Sequence, residues 1–305
     1  MTASALKVAE IEADAAAADA ARDARADALK EISARAQTQP KEPKSGKAPR
    51  KRASDGWDRF VVDIWITDLN FTEFGIYKRT RNRAKSRQFT TDMDIFGEII
   101  ENGQRTGLFG YREDAWKKSE GMDKRLVFKL FTENLNWRAT MDLMVGRSLQ
   151  QTLGARGLPV MTYSINTNDD QYIIYLERSA NKWAFMPEHF SFFIIDSKGN
   201  PEFYRLKRAF INLGGDYALI NQHNETVGYL DGKVFSSGGK WKGQIRAGAD
   251  KRLMTVMKLF GAMMVFNGDC RRHMKQLYKG MLRGKVTPKL DRQEADLYMN
   301  PRRVR

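Results

Sequence analysis

Hydrophobic residues are densest between Asp250 and Phe266, DKRLMTVMKLFGAMMVF, where only Thr255 and Lys258 are polar from Leu253 onward. A solvent-facing helix shows a polar side every three to four residues, and this stretch shows almost none. The pattern predicts a helix buried on most sides, led by Asp250 as N-cap, with Leu253, Val256, Met257, Phe260, Met263 and Met264 in its core. The segment Leu253–Phe266 spans roughly 21 Å at ~1.5 Å per residue, short of the ~30 Å hydrocarbon core of a bilayer. Enclosure by protein is therefore the expectation, a membrane span is the alternative, and no transmembrane span is expected elsewhere. Past Phe266 the chain turns polar at once.

Upstream, the apolar positions follow a different period. RFVVDIWITDL, FTEFGIYKR, MDIFGEII, TGLFGYR, KRLVFKLF, PVMTYSI, QYIIYLER, WAFM, SFFIID, PEFYRLKR, DYALIN, TVGYLDGK and KWKGQI are short runs rich in β-branched and aromatic residues. Turn-forming residues separate them, with Asn102-Gly103 the strongest hairpin signal. Strands at this spacing predict an antiparallel barrel or sandwich, not a parallel α/β sheet. Residues 134–153, NLNWRATMDLMVGRSLQQTL, have apolar residues at helical spacing and are expected to be helical. The expected fold class is mainly β: an antiparallel closed β-barrel around a central hydrophobic C-terminal helix, with a disordered or helical N-terminal arm.

Composition sets the ends of that domain. Residues 1–35 are Ala-rich with mixed charge, and 37–56 combine Pro, Gly, Ser and Lys/Arg as a flexible linker would. The division expected is a flexible arm over 1–56, a barrel over 57–284 and a basic tail over 285–305. The chain has 305 residues, a formal net charge of +15 and one cysteine, Cys270. The charge favours anionic partners without choosing among them. The single cysteine excludes an internal disulfide and suits a reducing compartment, so a cytoplasmic location is expected, with peripheral membrane association as a second reading. The start has no apolar signal-peptide core and carries seven acidic residues before position 32, unlike a transit peptide.

Candidate chemistry is sparse. His189, His223 and His273 are isolated and read as surface or turn histidines, with no metal-ligand spacing. Cys270 adjoins Arg271, Arg272 and His273, which could lower its pKa, although an incidental cysteine is the simpler reading. No nucleotide-binding or nucleophile-elbow motif is present. No enzyme, cofactor or metal site is expected.

Basic charge remains. Residues 41–52 hold one cluster. Lys78, Arg79, Arg81, Arg83, Lys85 and Arg87 form a second, in which six of ten residues are cationic. Arg271, Arg272, Lys275, Lys279, Arg283, Lys285, Arg302, Arg303 and Arg305 form a third. A solvated surface and an anion-binding face are the two readings. A concave pocket of converging cations favours head groups; a long open stripe favours a polynucleotide backbone. Nucleic acid also calls for aromatics interleaved with the charge, and the 78–87 run has only Tyr77 and Phe89 at its edges.

FFIIDSKGNPEFYRLKR, DYALINQHNETVGYLDGK, GQI, Asp250 and the apolar helix, in that order, resemble the C-terminal half of the tubby C-terminal-like superfamily, which includes LURP-one-related proteins and phospholipid scramblases. Its strand, Asp-x-x-Gly, strand pattern corresponds to Ile195 to Gly199, with a looser copy from Ile220 to Tyr229. The resemblance covers roughly residues 185–268 and implies a twelve-stranded barrel closed by a hydrophobic helix. It implies non-enzymatic binding of anionic, phosphoinositide-like lipid head groups as an adaptor. Nucleic-acid binding is the first alternative and scramblase-like lipid transfer the second. Against a scramblase, the region after the helix has one acid, Asp269, among basic residues, and one cysteine cannot supply an acylated cluster.

Overall fold

A computed structural model of the chain describes residues 56–64, 83–84, 93–168, 172–180, 187–196, 198–209, 216–232 and 239–299. Most of the 78–87 run, the whole 1–55 arm and the expected strand WAFM lie outside the described residues.

Among the described residues, thirteen strands form one sheet. They are β1 Trp57–Ile64, β2 Arg83–Ala84, β3 Met93–Glu101, β4 Gln104–Tyr111, β5 Val127–Thr132, β6 Trp137–Leu143 and β7 Thr162–Thr167. There follow β8 Ile174–Arg178, β9 His189–Ile195, β10 Pro201–Arg208, β11 Tyr217–Asn221, β12 Thr226–Gly232 and β13 Lys240–Arg246. Strands β3 to β13 pair in sequence order, β13 pairs with β1, and β1 pairs back with β3. The result is a closed antiparallel barrel of twelve strands, with β2 as a short extra partner of β3. Closure leaves almost no unpaired edge, which is how an all-β chain avoids pairing with its neighbours.

Alternation decides which side chains fill the interior. On β10, Tyr204 and Leu206 are buried while Phe203, Arg205 and Lys207 face outward. Turn chemistry sets the register. Asn102 and Gly103 both take positive φ, 52° and 79°, joining β3 to β4. The Asp196 carboxylate accepts from the N–H groups of Lys198 and Asn200 while Gly199 sits at φ 87°. Asn221 repeats this arrangement for His223 and Glu225. A side chain at Gly243 would collide with the Phe60 ring, 2.0 Å from its nearest atom, so the barrel wall needs glycine there.

The expectation of a helix across 134–153 is corrected. Its first half is β6, where Ala139, Met141 and Leu143 alternate inward at period two. Only Val145–Gly154, here α1, is helical. The apolar stretch forms α2, Lys251–Met264, and the Asp250 carboxylate accepts from Arg252 N–H at 2.8 Å as its cap. Val256, Met257, Leu259, Phe260, Ala262 and Met263 are fully buried and leave little of the helix circumference open. The helix packs against the paired strands β1 and β13 and against β7, which lies well round the ring from them. Phe260 meets Phe190 of β9 and Tyr217 of β11 edge-on, each at 4.9 Å between ring centres. Lys258, the one charge from Leu253 to Phe266, bonds Glu101 at the end of β3 and lies 5.6 Å from the Phe60 ring. No helix among the described residues is long and apolar enough to cross a membrane.

The polar segment after Phe266 is also helical: α3, Asn267–Leu282, follows α2 almost directly. Beyond it, α4 covers Arg292–Met299.

Candidate anion-binding face

Helix α3 is divided lengthwise. Asn267, Cys270, His273, Met274 and Leu277 are buried. Arg271, Lys275, Lys279 and Arg283 are exposed and recur every four residues, at ~6 Å per step, over ~18 Å. Arg272 is turned toward Asp269 in the first turn. Among the described residues, none of the other four cations has a carboxylate partner. The arrangement is an open stripe, not a set of cations converging on one point.

The buried face holds α3 in place. The Glu188 carboxylate receives Arg178 Nε, the Tyr217 hydroxyl at 3.0 Å and Asn267 Nδ2 at 3.1 Å. Burial works to raise the Glu188 pKa, but the Arg178 guanidinium and these hydrogen bonds outweigh it and hold the carboxyl below its ordinary range. One expectation is corrected here, the surface or turn position of His273, and for Cys270 the alternative of an activated thiol is not supported. His273 is buried against the Trp116 ring, and burial, followed by the Lys124 charge, lowers its pKa to about 4. Cys270 is fully buried, and burial pushes its thiol up to about 12, the reverse of activation by the neighbouring cations. Both side chains lie on the inner face of α3, whereas Arg271 and Arg272 point outward. His223 stands in the β11–β12 turn and His189 is half-buried on β9.

Residues 286–294 dock back on the barrel. The Glu294 carboxylate accepts from Gly146 N–H, at 3.0 Å, and from Arg147 N–H, so it caps the start of α1, where Met144 supplies no side-chain cap. Asp291 bonds Arg125 at 3.1 Å, and Arg125 also bonds Asp142 of β6. Lys289 pairs with Asp123.

Of the other predicted anion-binding residues, Arg83 lies on β2 opposite Asp94 of β3. Lys78, Arg79, Arg81, Lys85 and Arg87 lie outside the described residues. A cleft of about 630 Å³ opens beside β10–β12, but Asp216 and Asp231 line it together with Lys207 and Arg208. Its mixed charge does not make a head-group pocket. Among the described residues, no cluster of three His, Cys, Asp or Glu could hold a metal ion. Comparison of the chain with family models, curated proteins and solved structures found no match.

Proposed function

We propose that this protein is a non-enzymatic polyanion-binding module whose contact surface is the outer face of α3. The ligand proposed is an extended phosphate backbone rather than a single head group. The observation that carries this reading is the row of Arg271, Lys275, Lys279 and Arg283, exposed, evenly spaced and without acidic partners among the described residues. Such a row neutralises successive charges on a linear polyanion. An anionic leaflet is the competing ligand, since cations near it contribute ~1 kcal/mol each. Against insertion, the other face of α3 is already committed to the barrel through Cys270, Met274 and Leu277, so no apolar face is free to enter a bilayer. A tubby-like identity belongs to the same proposal. It is supported by twelve strands followed by an Asp-capped apolar helix in the order the resemblance implies. A cytoplasmic location rests only on the reducing character suggested by one cysteine.

The test replaces Arg271, Lys275, Lys279 and Arg283 with Ser and measures binding to a 20-base-pair duplex from 50 to 200 mM salt. Each lost phosphate contact should reduce the log–log salt slope by ~0.9, so the quadruple variant should lose ~3.6. Parallel sedimentation with phosphoinositide vesicles at the same salt decides between ligands. An unchanged duplex slope, or vesicle binding that exceeds duplex binding and disappears with the four cations, overturns the polynucleotide reading.

A further inference from the structure

The outward face of β9–β12 carries rings as well as charge. Phe193 of β9 and Phe203 of β10 are directly opposite in register, with ring centres 4.9 Å apart, and Phe193 is 55% exposed. Next along β10 come the half-buried Arg205, whose guanidinium donates to Asn224 Oδ1, and the exposed Lys207, on the same face by alternation. Lys207 is in register with Ala218 of β11, and Ala218 with Tyr229 of β12, which is also exposed and lies 5.8 Å from the Trp57 ring. Ala218 is small, so the row dips between Lys207 and Tyr229 and lines the cleft there. The outward positions of β9 and β10, from His189 to Ile195 and at 203, 205 and 207, contain no acid, whereas Asp231 is exposed two residues beyond Tyr229 on β12 and lines the cleft with Asp216. The positive potential is felt locally: burial, then Lys207 and Arg205, lower the pKa of His189.

We infer that this wall is a stacking platform for a single-stranded polynucleotide, with bases on Phe193/Phe203 and Tyr229 and the backbone on Arg205 and Lys207. The exposed Phe193 ring has the half-buried Arg205 near it, and the exposed Tyr229 ring has the exposed Lys207 in its row. Every base offers a π-face and every linkage a negative charge, so a single strand satisfies both groups at once. A duplex hides its base faces and could use only the cations. The two ring sites are two strand spacings (~10 Å) apart across the sheet and four residues (~13 Å) apart along it, roughly 16 Å in all, with Lys207 level with Tyr229. A lipid head group supplies charge but nothing to stack. This surface shares no residue with the α3 stripe, so either can fail without the other.

The experiment uses the full chain with fluorescent U12 and dT12 at 100 mM salt. Phe193→Ala should weaken binding by about tenfold, the effect of one lost stacking ring. Phe193→Tyr should restore it, and the unfolding midpoint of both variants should match the parent. Replacing Arg205 and Lys207 with Ser should reduce the single-strand salt slope by ~1.4, at ~0.7 per contact. The α3 quadruple variant should keep its dependence on Phe193. Tight binding of either oligonucleotide with this dependence supports the platform, and a preference for U12 assigns the 2′-hydroxyl a role. No binding by the parent chain, unchanged affinity in Phe193→Ala, or an equal loss for duplex or phosphoinositide vesicles overturns it.

Discussion

Burial pushes the Asp142 carboxyl up to about 7, against the opposing pull of the Arg125 guanidinium, and the nearby Asp291 and Glu294 charges push the same way. A carboxyl whose folded pKa is raised stabilises the fold most below its unfolded value near ~3.9, and that contribution declines as pH rises through the folded value. For Asp142 the window is therefore about pH 4 to 7. Asn removes the titration, so the unfolding midpoint of Asp142→Asn minus that of the parent should increase from pH 4 to 7 and level off above. A flat difference would show that Asp142 stays ionised throughout. Working from the variant difference also cancels His273, whose lowered pKa acts in the opposite direction. None of this was legible in the sequence, because Asp142 sits in a strand that could equally have been a helix, and its neighbours Asp291 and Glu294 come from well over a hundred residues away. Lys258 was legible. A single cation in an apolar helix must reach an end of the enclosure or find a partner, and Glu101 at the end of β3 provides both.

Elements with a clear period were readable, and those with a mixed face were not. The strands from β7 to β13 announce themselves by alternation and by Asp- or Asn-led turns. Helix α3 did not, because its buried face includes Asn267, Cys270 and His273, which do not register as an apolar stripe. Its basic row was visible as composition but had no geometry until the helix was placed. The platform on β9–β12 had a signal that went unread: Phe203, Arg205 and Lys207 are spaced by two on a strand whose other face is Tyr204 and Leu206. The C-terminal segment read as a basic tail because Lys and Arg outnumber its acids, yet Asp291 and Glu294, together with Lys289, bond it to the rest of the domain. Glu294→Ala should remove the cap of α1 and lower stability by about 0.5–2 kcal/mol, the range for lost helix caps. It should also speed tryptic cleavage at Lys285, Lys289 and Arg292, read as the rate of loss of the intact chain. Unaltered cleavage would mean that Glu294 does not hold the segment down.

At the scale of the molecule, a closed antiparallel barrel was expected from many short strands and the resemblance, and the strands do close into one, but the register that closes it was not legible. Pairing of β1 with both β13 and β3 joins residues up to 189 positions apart, as with Trp57 and Arg246, and no local pattern encodes it. The charge of +15 pointed to an anionic partner, and only the placement of α3 and the outer wall turned that excess into two separate surfaces. We propose that the barrel is organised around α2, whose end leads directly into α3, and both surfaces depend on that. That claim is tested most directly by equilibrium unfolding of Phe260→Ala in detergent-free buffer. Phe260 is fully buried against Phe190 and Tyr217, so its truncation should lower the unfolding free energy by about 3–5 kcal/mol, as large-to-small core changes do. A soluble parent chain with a Phe260→Ala variant of unchanged stability would contradict it.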